Sequence, residues 1–297
     1  MIYTFTANPS IDYIIETDIV PNTLNRSKSD RVYPGGKGIN VSLMLTNLGC
    51  ENIAIVPVAG PTGAVLENLL KPKLKAAVIR TDGVTRVNTK AIGKDGVTEI
   101  NGRGISPKIG ELLKVLKKIQ PDDILVISGS FADYSLLDEI VHAVDTKKIV
   151  FDIPDIEYAI KHKPFVIKPN LSELERCFGT AISPKEVDKY AIRIRDMGCR
   201  NVLVSMGADG AYFCNKNYSF YVPAPLGESK GGIGAGDSMT AGLVYSIENT
   251  IPVENAAALA AACGSATAFK GCIADRADVE MLYGPIEKNG GIPDVRI

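Results

Sequence analysis

Tryptophan is absent from this chain of 297 residues, and histidine stands at two positions only, His142 and His162. The six cysteines (Cys50, Cys177, Cys199, Cys214, Cys263, Cys272) form no Cys-x-x-Cys pair. A zinc site therefore has almost no ligands to draw on, and Ser–His or Cys–His nucleophilic catalysis is disfavoured for the same want of imidazoles. Scattered thiols read as buried and reduced, the pattern of a cytoplasmic protein. No apolar run approaches the roughly 18 residues that a spanning helix needs. Met1-Ile2-Tyr3-Thr4-Phe5 lacks a basic n-region, reads as a strand and argues against a signal peptide. Excess charge is missing too: 33 Lys and Arg against 34 Asp and Glu leave a net −1. Neither nucleic acid nor an anionic membrane is expected as a partner. No Gly-x4-Gly-Lys-[Ser/Thr] occurs, which excludes a P-loop NTPase, and no Gly-x-Gly-x-x-Gly follows the first strand, so a Rossmann dinucleotide site is unsupported. Without His-Arg-Asp or Asp-Phe-Gly the chain is not a protein kinase.

What is present begins with ordinary globular composition, 45% hydrophobic and 23% charged. The length suits one large domain or two small ones. The most informative stretch is Gly231-Gly232-Ile233-Gly234-Ala235-Gly236-Asp237-Ser238, which runs into an apolar segment spaced as a helix through Met239, Gly242, Leu243 and Ile247. Glycine-rich backbone feeding a helix start makes an anion cradle, because the first amides lack internal partners and carry the positive end of the dipole. Asp237 in that cradle has two readings. It caps the helix, or it is a general base that takes a hydroxyl proton while the neighbouring amides hold a transferring phosphoryl group.

A second glycine-rich loop, Pro34-Gly35-Gly36-Lys37-Gly38, opens a helix that starts at Ile39 and ends near Gly49. Lys37 in a first helical turn opposes the dipole by a few tenths to ~1 kcal/mol, which favours an anionic ligand beside it. Strands are expected at Ile2–Thr6, Ile11–Ile15, about 27–33 and Ile53–Val58, with a helix from Pro61 to Leu70 and a short strand at 76–79. Alternating runs at 85–92 and 97–100 flank a hairpin turn at Gly93–Gly96 and carry Arg86, Asn88, Asn101 and Arg103. With residues 11–33 they suggest a small second sheet inserted into the first half.

From about 107 the chain alternates: helix 107–119, strand 124–127, helix 135–144, strand 149–152, strand 165–167, helices 171–177 and 184–197, strand 202–204, a hairpin at 211–222, and an alanine-rich helix over 253–269. That alternation predicts a mostly parallel sheet with helices on both faces. Ligands then gather beyond the strands' carboxyl ends, where Ser128-Gly129-Ser130, Asp152, Asn170 and Ser205-Met206-Gly207 fall. Turn chemistry alone also favours such residues there.

These motifs resemble, over essentially the whole length, the ribokinase-like (PfkB-type) carbohydrate kinases. Gly35-Gly36-Lys37-Gly38-Ile39-Asn40-Val41 and Gly234-Ala235-Gly236-Asp237-Ser238 match the two family signatures. Between them stand Thr85-Arg86-Val87-Asn88, Ser128-Gly129-Ser130, Lys168-Pro169-Asn170-x-x-Glu173-Leu174 and Ser205-Met206-Gly207-x-x-Gly210, in order. Asn8-Pro9-Ser10-Ile11-Asp12-Tyr13 and Leu24-Asn25-Arg26 look most like the branch that phosphorylates fructose 1-phosphate, with tagatose-6-phosphate kinases close by.

The resemblance implies one kinase domain over 1–297: a three-layer α/β/α fold with a β-sheet lid inserted from about 11–33 and 84–104, ATP as donor and Mg²⁺ as helper. It implies Asp237 as base, with Gly234, Ala235 and Gly236 at the phosphoryl group. Asp12, Gly36, Asn40 and Ser130 would hold sugar hydroxyls. Lys37, Arg86 and Asn88, with Arg26 and Asn101, would hold the phosphate already on the sugar. Lys168, Asn170 and Glu173 would face the ATP phosphates, Glu173 reaching the metal through water. Ser205, Gly207 and Gly210, with Ala262 on the alanine-rich helix, would line the nucleotide.

The implied product is fructose 1,6-bisphosphate; the alternatives are a kinase for tagatose 6-phosphate or another acceptor, and a catalytically idle sugar-phosphate binder. Arg86 suits a phosphate through its bidentate fork. Two loops depart from the family pattern, Phe131-Ala132-Asp133 and Ile153-Pro154-Asp155. Ile11, Ile14, Val87 and Ile92 are expected to form an apolar lid face able to pair with a second copy.

Overall fold

Short runs such as Ile53-Ala54-Ile55-Val56 and Ile124-Leu125-Val126-Ile127 are apolar at every position, so they satisfy a sheet covered on both faces. The structure, a computed structural model, describes residues 1–288. In chain order its first half holds β1 (Ile2–Thr6), β2 (Ser10–Glu16), β3 (Ser29–Gly35), α1 (Lys37–Asn47), β4 (Asn52–Val58), α2 (Gly60–Leu70), β5 (Ala76–Arg80), β6 (Arg86–Gly93), β7 (Gly96–Asn101), α3 (Ile109–Leu116), β8 (Ile124–Ser128) and α4 (Ser135–Ala143). The second half holds β9 (Lys148–Asp152), α5 (Ile156–Lys161), β10 (Val166–Ile167), α6 (Leu171–Phe178), α7 (Val187–Asp196), β11 (Asn201–Ser205), β12 (Ala211–Asn215), β13 (Ser219–Val222), α8 (Ala235–Glu248), α9 (Val253–Lys270) and α10 (Arg276–Lys288).

Nine strands form one sheet in the order β13-β12-β11-β10-β9-β8-β1-β4-β5. All pairs are parallel except β11–β12 and β12–β13. The pleat sorts the core into two sides. Tyr3, Phe5, Leu125, Ile127 and Phe151 pack under α3 to α7, while Ile2, Ile124, Val126 and Val150 pack under α1, α8 and α9. From β1 the chain runs outward in both directions, to β4 on one side and β8 on the other, and ligands of such sheets bind beyond the strand ends at that switch.

Four strands, β3-β2-β6-β7, make a second sheet. β2 pairs antiparallel with β3 and parallel with β6, and β6 pairs antiparallel with β7. Because Asp12 sits opposite Tyr33 and Asn88, and Asn88 opposite Asn101, these side chains share one face. The expected apolar face fails on the same parity. Ile14 and Ile92 share the face of Asp12, whereas Ile11 and Val87 lie on the other, where Ile11 is buried against Ile39 and Leu66.

Two helices escape the sequence reading. α5 starts at Asp155, whose carboxylate accepts from the Tyr158 amide, so the unusual Ile153-Pro154-Asp155 segment is a helix cap. α10 has no strong apolar stripe in sequence. The Phe131-Ala132-Asp133 departure also has a packing role: Phe131 stacks between Phe5 and Tyr134, and Asp133 accepts from the Ser135 amide and hydroxyl.

The alanines of α9 and Gly242 of α8 let two backbones close together. A Cβ on Gly242 would lie 2.8 Å from Cys263 Sγ, 2.9 Å from Ala260 Cα and 3.1 Å from the Leu259 carbonyl oxygen. Since backbone cannot yield cheaply, Gly242→Val is expected to destabilise the fold by ~1–3 kcal/mol, read as a lowered midpoint in thermal unfolding.

Candidate active site

One cavity of about 1050 Å³ opens between the small sheet and the carboxyl-end edge of the large one. Asp12, Gly36, Lys37, Asn40, Arg86, Asn88, Asn101, Gly234 and Asp237 all line it, so sequence positions more than two hundred residues apart meet in one place.

The geometry excludes the capping reading of Asp237. The N-cap of α8 is Gly234, held in the left-handed region at φ 77°, and no side chain caps the helix. Asp237 lies in the first turn instead, buried, with Oδ2 accepting from Asn40 Nδ2 at 2.8 Å. Burial pushes its carboxyl up to about 6, and the charge of Asp152 adds to the push, against the pull of Lys37, Asn40 and Lys168.

Beneath it lies a charge cluster that the sequence does not announce. Asp152 closes β9 almost fully buried, Oδ1 2.9 Å from Lys37 Nζ, Oδ2 3.3 Å from Lys168 Nζ and accepting from Thr240 Oγ1 at 2.9 Å. Burial would raise its carboxyl, but the two ammonium groups and the hydrogen bonds outweigh that and hold it at about 2. Lys37 also faces Glu173 Oε1 at 3.7 Å. Burial works against its charge, yet Asp152, Glu173 and Asp237 together raise its pKa. The dipole penalty at Lys37 is therefore answered inside the protein, and its position needs no external anion.

On the small sheet, Asp12 Oδ1 accepts from Ser10 Oγ at 2.7 Å and Asn88 Nδ2 at 3.1 Å, while Oδ2 lies 3.3 Å from Lys90 Nζ. Ser10 and Lys90 both line the cavity and were missed from sequence, although Lys90 shares its strand face with Arg86 and Asn88. Arg86 gives one guanidinium nitrogen to the Asn8 carbonyl at 2.8 Å, and its buried Nε has no partner.

The remaining expected residues divide. Asn170 and Glu173 form a capping box on α6, the Asn170 side chain taking the Glu173 amide and Glu173 Oε2 the Asn170 amide. Ser205 is bridged to Asn170 in parallel register, and Gly207 and Gly210 turn the chain after β11. Lys168 Nζ sits behind the loop, 3.5 Å from where a Cβ on Gly236 would be. Lys168, Asn170, Glu173, Ser205, Gly207, Gly210, Ala235 and Gly236 do not line the cavity, and neither do Arg26, Ser130 and Ala262. Arg26 is in an exposed loop where its carbonyl accepts from Thr17, and Ser130 is exposed beyond β8. Ala262 is fully buried in the core that α8, α9 and the large sheet build together. Among the described residues no three His, Cys, Asp or Glu side chains converge on a metal position.

The family model for pfkB family carbohydrate kinases matches residues 6–275. The chain belongs to this family. It is 37% identical to the 1-phosphofructokinase of Bacillus subtilis over 97% of this chain and 99% of that one. It is 33% identical to the D-tagatose-1-phosphate kinase of Bacillus licheniformis, again over 97% and 99%. Among solved structures, phosphofructokinase-2 from Escherichia coli in complex with substrates and products superposes with a TM-score of 0.89 at 27% identity, covering 96% of this chain and 99% of that one. The fold of this pfkB chain is ribokinase-like, and a ribokinase of Thermotoga maritima shares it at a TM-score of 0.77.

Proposed function

We propose that the protein transfers the terminal phosphoryl group of ATP to the free primary hydroxyl of a ketohexose 1-phosphate, fructose 1-phosphate first, yielding fructose 1,6-bisphosphate and ADP. The observation that carries this is the buried Asp237 carboxylate, held by Asn40 at the start of α8 and raised toward neutrality, in one cavity with the polar face of the small sheet. Asp237 takes the hydroxyl proton as that oxygen bonds to the γ-phosphorus and the bond to the bridging oxygen of ADP breaks. The amides of Gly234, Ala235 and Gly236 hold the transferring group, and Lys168 stands behind them. Asp12, Asn40 and Gly36 orient the sugar, and Arg86 with Asn88 and Asn101 takes the phosphate it already carries. Ser205, Gly207 and Gly210 border the nucleotide.

Mg²⁺ fits this site as an ion held mainly by ATP oxygens and water, since magnesium keeps several waters and needs few protein ligands. Glu173, with Oε2 engaged in its capping box, has Oε1 toward Lys37 and would reach such an ion through water. When bound, the ion neutralises charge developing on the phosphates.

We read the small sheet as a lid over the cavity of a single kinase domain, and the enzyme as cytoplasmic: the described residues hold no helix long and apolar enough to cross a membrane, and the described thiols are free. Self-association of two lids would use the outward row Val32, Tyr13, Thr89 and Ile100, which sedimentation velocity tests by a concentration-dependent dimer. Neither tagatose 6-phosphate nor an idle binder is favoured; the tagatose relative is named for the 1-phosphate.

ADP release with ATP, Mg²⁺ and a panel of sugar phosphates tests the reading. It is expected with fructose 1-phosphate and not with fructose; release with no ketohexose phosphate would overturn it. Arg86→Ala is expected to raise KM for the sugar phosphate ~30–150-fold with kcat within about threefold, from the loss of a charge-assisted fork worth ~2–3 kcal/mol. An unchanged KM would remove Arg86 from the phosphate.

A further inference from the structure

Lys90 is a charged side chain of the cavity wall that pairs with Asp12 and has no assigned part. It is 8% exposed, it lines the cavity, and its ion-pair partner among the described residues is Asp12, 3.3 Å from its ammonium nitrogen. An ammonium has three N–H donors, and burying them without acceptors is costly. No hydrogen bond to another protein group engages Lys90 Nζ among the described residues, so donors remain for whatever occupies the cavity.

Asp12 is the complementary half. Ser10 and Asn88 converge on Oδ1, which leaves Oδ2 as the oxygen shared with Lys90 and open to a ligand. A carboxylate that can only accept and an ammonium that can only donate thus sit side by side on one wall. The sugar group that meets both is a hydroxyl, which donates and accepts at once. A phosphate oxygen would suit Lys90 but would repel Asp12.

We infer that Asp12 and Lys90 together read one secondary hydroxyl of the sugar, and that Lys90 is a specificity-determining residue for the acceptor. The hydroxyl donates a hydrogen bond to Asp12 Oδ2 and accepts one from Lys90 Nζ. A substrate lacking that hydroxyl leaves a buried ion pair with unmet valences, the situation in which discrimination is steep. The inference rests on the kinase reading above.

The test compares the unaltered enzyme with Lys90→Met and Lys90→Gln, using fructose 1-phosphate and its 3-deoxy and 4-deoxy analogues. For the unaltered enzyme one of the two deletions is expected to lower kcat/KM by ~10²–10³. In Lys90→Met the parent loses ~30–100-fold in kcat/KM, KM for ATP moves less than about twofold, and the same deletion now costs under ~10-fold. Lys90→Gln, which keeps a donor, is expected to regain part of the discrimination and serves if the Met variant does not fold. Equal penalties for the analogues in the unaltered and substituted enzymes would overturn the role of Lys90 while leaving the kinase reading intact. No turnover of any ketohexose phosphate by the unaltered enzyme would instead overturn the kinase reading, and this inference with it.

Discussion

Asp237→Asn is expected to lower kcat by ~10²–10⁴ with KM for both substrates nearly unchanged, because a positioned base contributes in the transition state rather than in binding. The substitution keeps shape and the contact with Asn40, so lost activity reports the proton acceptor itself. The pH profile carries the same argument. With its carboxyl pushed up to about 6 by burial and by Asp152, the base is protonated on the acid side, and kcat/KM of the unaltered enzyme should rise with pH through about 6 and level above it.

Stability should move the other way. A carboxylate whose folded pKa lies above its ordinary 3.8 contributes most below that value and loses its contribution as pH rises through about 6. At pH 8 the Asn variant should therefore unfold at a higher temperature than the unaltered chain, a trade of stability for activity seen in buried catalytic groups. Unchanged kcat, measured by ADP release, would remove Asp237 from the chemistry.

Asp152→Asn is the second large effect, and here stability and catalysis should fall together. Asp152 holds Lys37 and Lys168 at once, and Lys168 is 4% exposed. Removing one member of a buried pair leaves the other charge without compensation, at ~3–5 kcal/mol. The sign follows from the direction of the shift. The Asp152 carboxyl is held at about 2, below its ordinary 3.8, so its contribution is present above 3.8 and fades as pH falls toward 2. The variant should lose most of its deficit relative to the unaltered chain only at that acid extreme, in denaturant unfolding followed from pH 7 down to about 2. Catalysis adds a distinct signature: without the charge of Asp152, the Asp237 carboxyl drops, and the acid limb of the rate profile moves below about 6. A variant as stable as the parent with an unmoved acid limb would contradict the cluster's role.

Much of this architecture was legible in the sequence, and for reasons that separate cleanly. The parallel sheet follows from apolar runs alternating with helical periods, and the two glycine-rich loops mark helix starts that face a ligand edge. Asp237 and Asn40 sit in the first helical turns after those loops, and Asp12 and Arg86 on strands of the small sheet, where local pattern sets them apart. Asp152 and Lys168 also end strands, but nothing local says that Asp152 sits between Lys168 and Lys37 and pairs with both. That information lies in the strand order β10-β9-β8-β1, which is a long-range property. Lys90 escaped because an isolated lysine in a strand reads as solvated, and only pairing with β2 brings it to Asp12. The apolar lid face failed through strand parity: Ile11 and Ile14 are three residues apart and therefore point to opposite faces. Ala262 is fully buried, and because an alanine-rich helix has no polar side to orient it, packing alone decides which of its faces is covered.

The central claim is that one buried carboxylate stands between the sugar's free hydroxyl and the nucleotide's terminal phosphate. A crystal structure of the protein with fructose 1-phosphate and a non-hydrolysable ATP analogue tests it most directly. The account predicts an Asp237 oxygen ~2.6–3.2 Å from the primary hydroxyl, with the γ-phosphate over the first turn of α8. A sugar phosphate bound with that hydroxyl turned away from Asp237, or a triphosphate seated away from the Gly234–Gly236 amides, would contradict it.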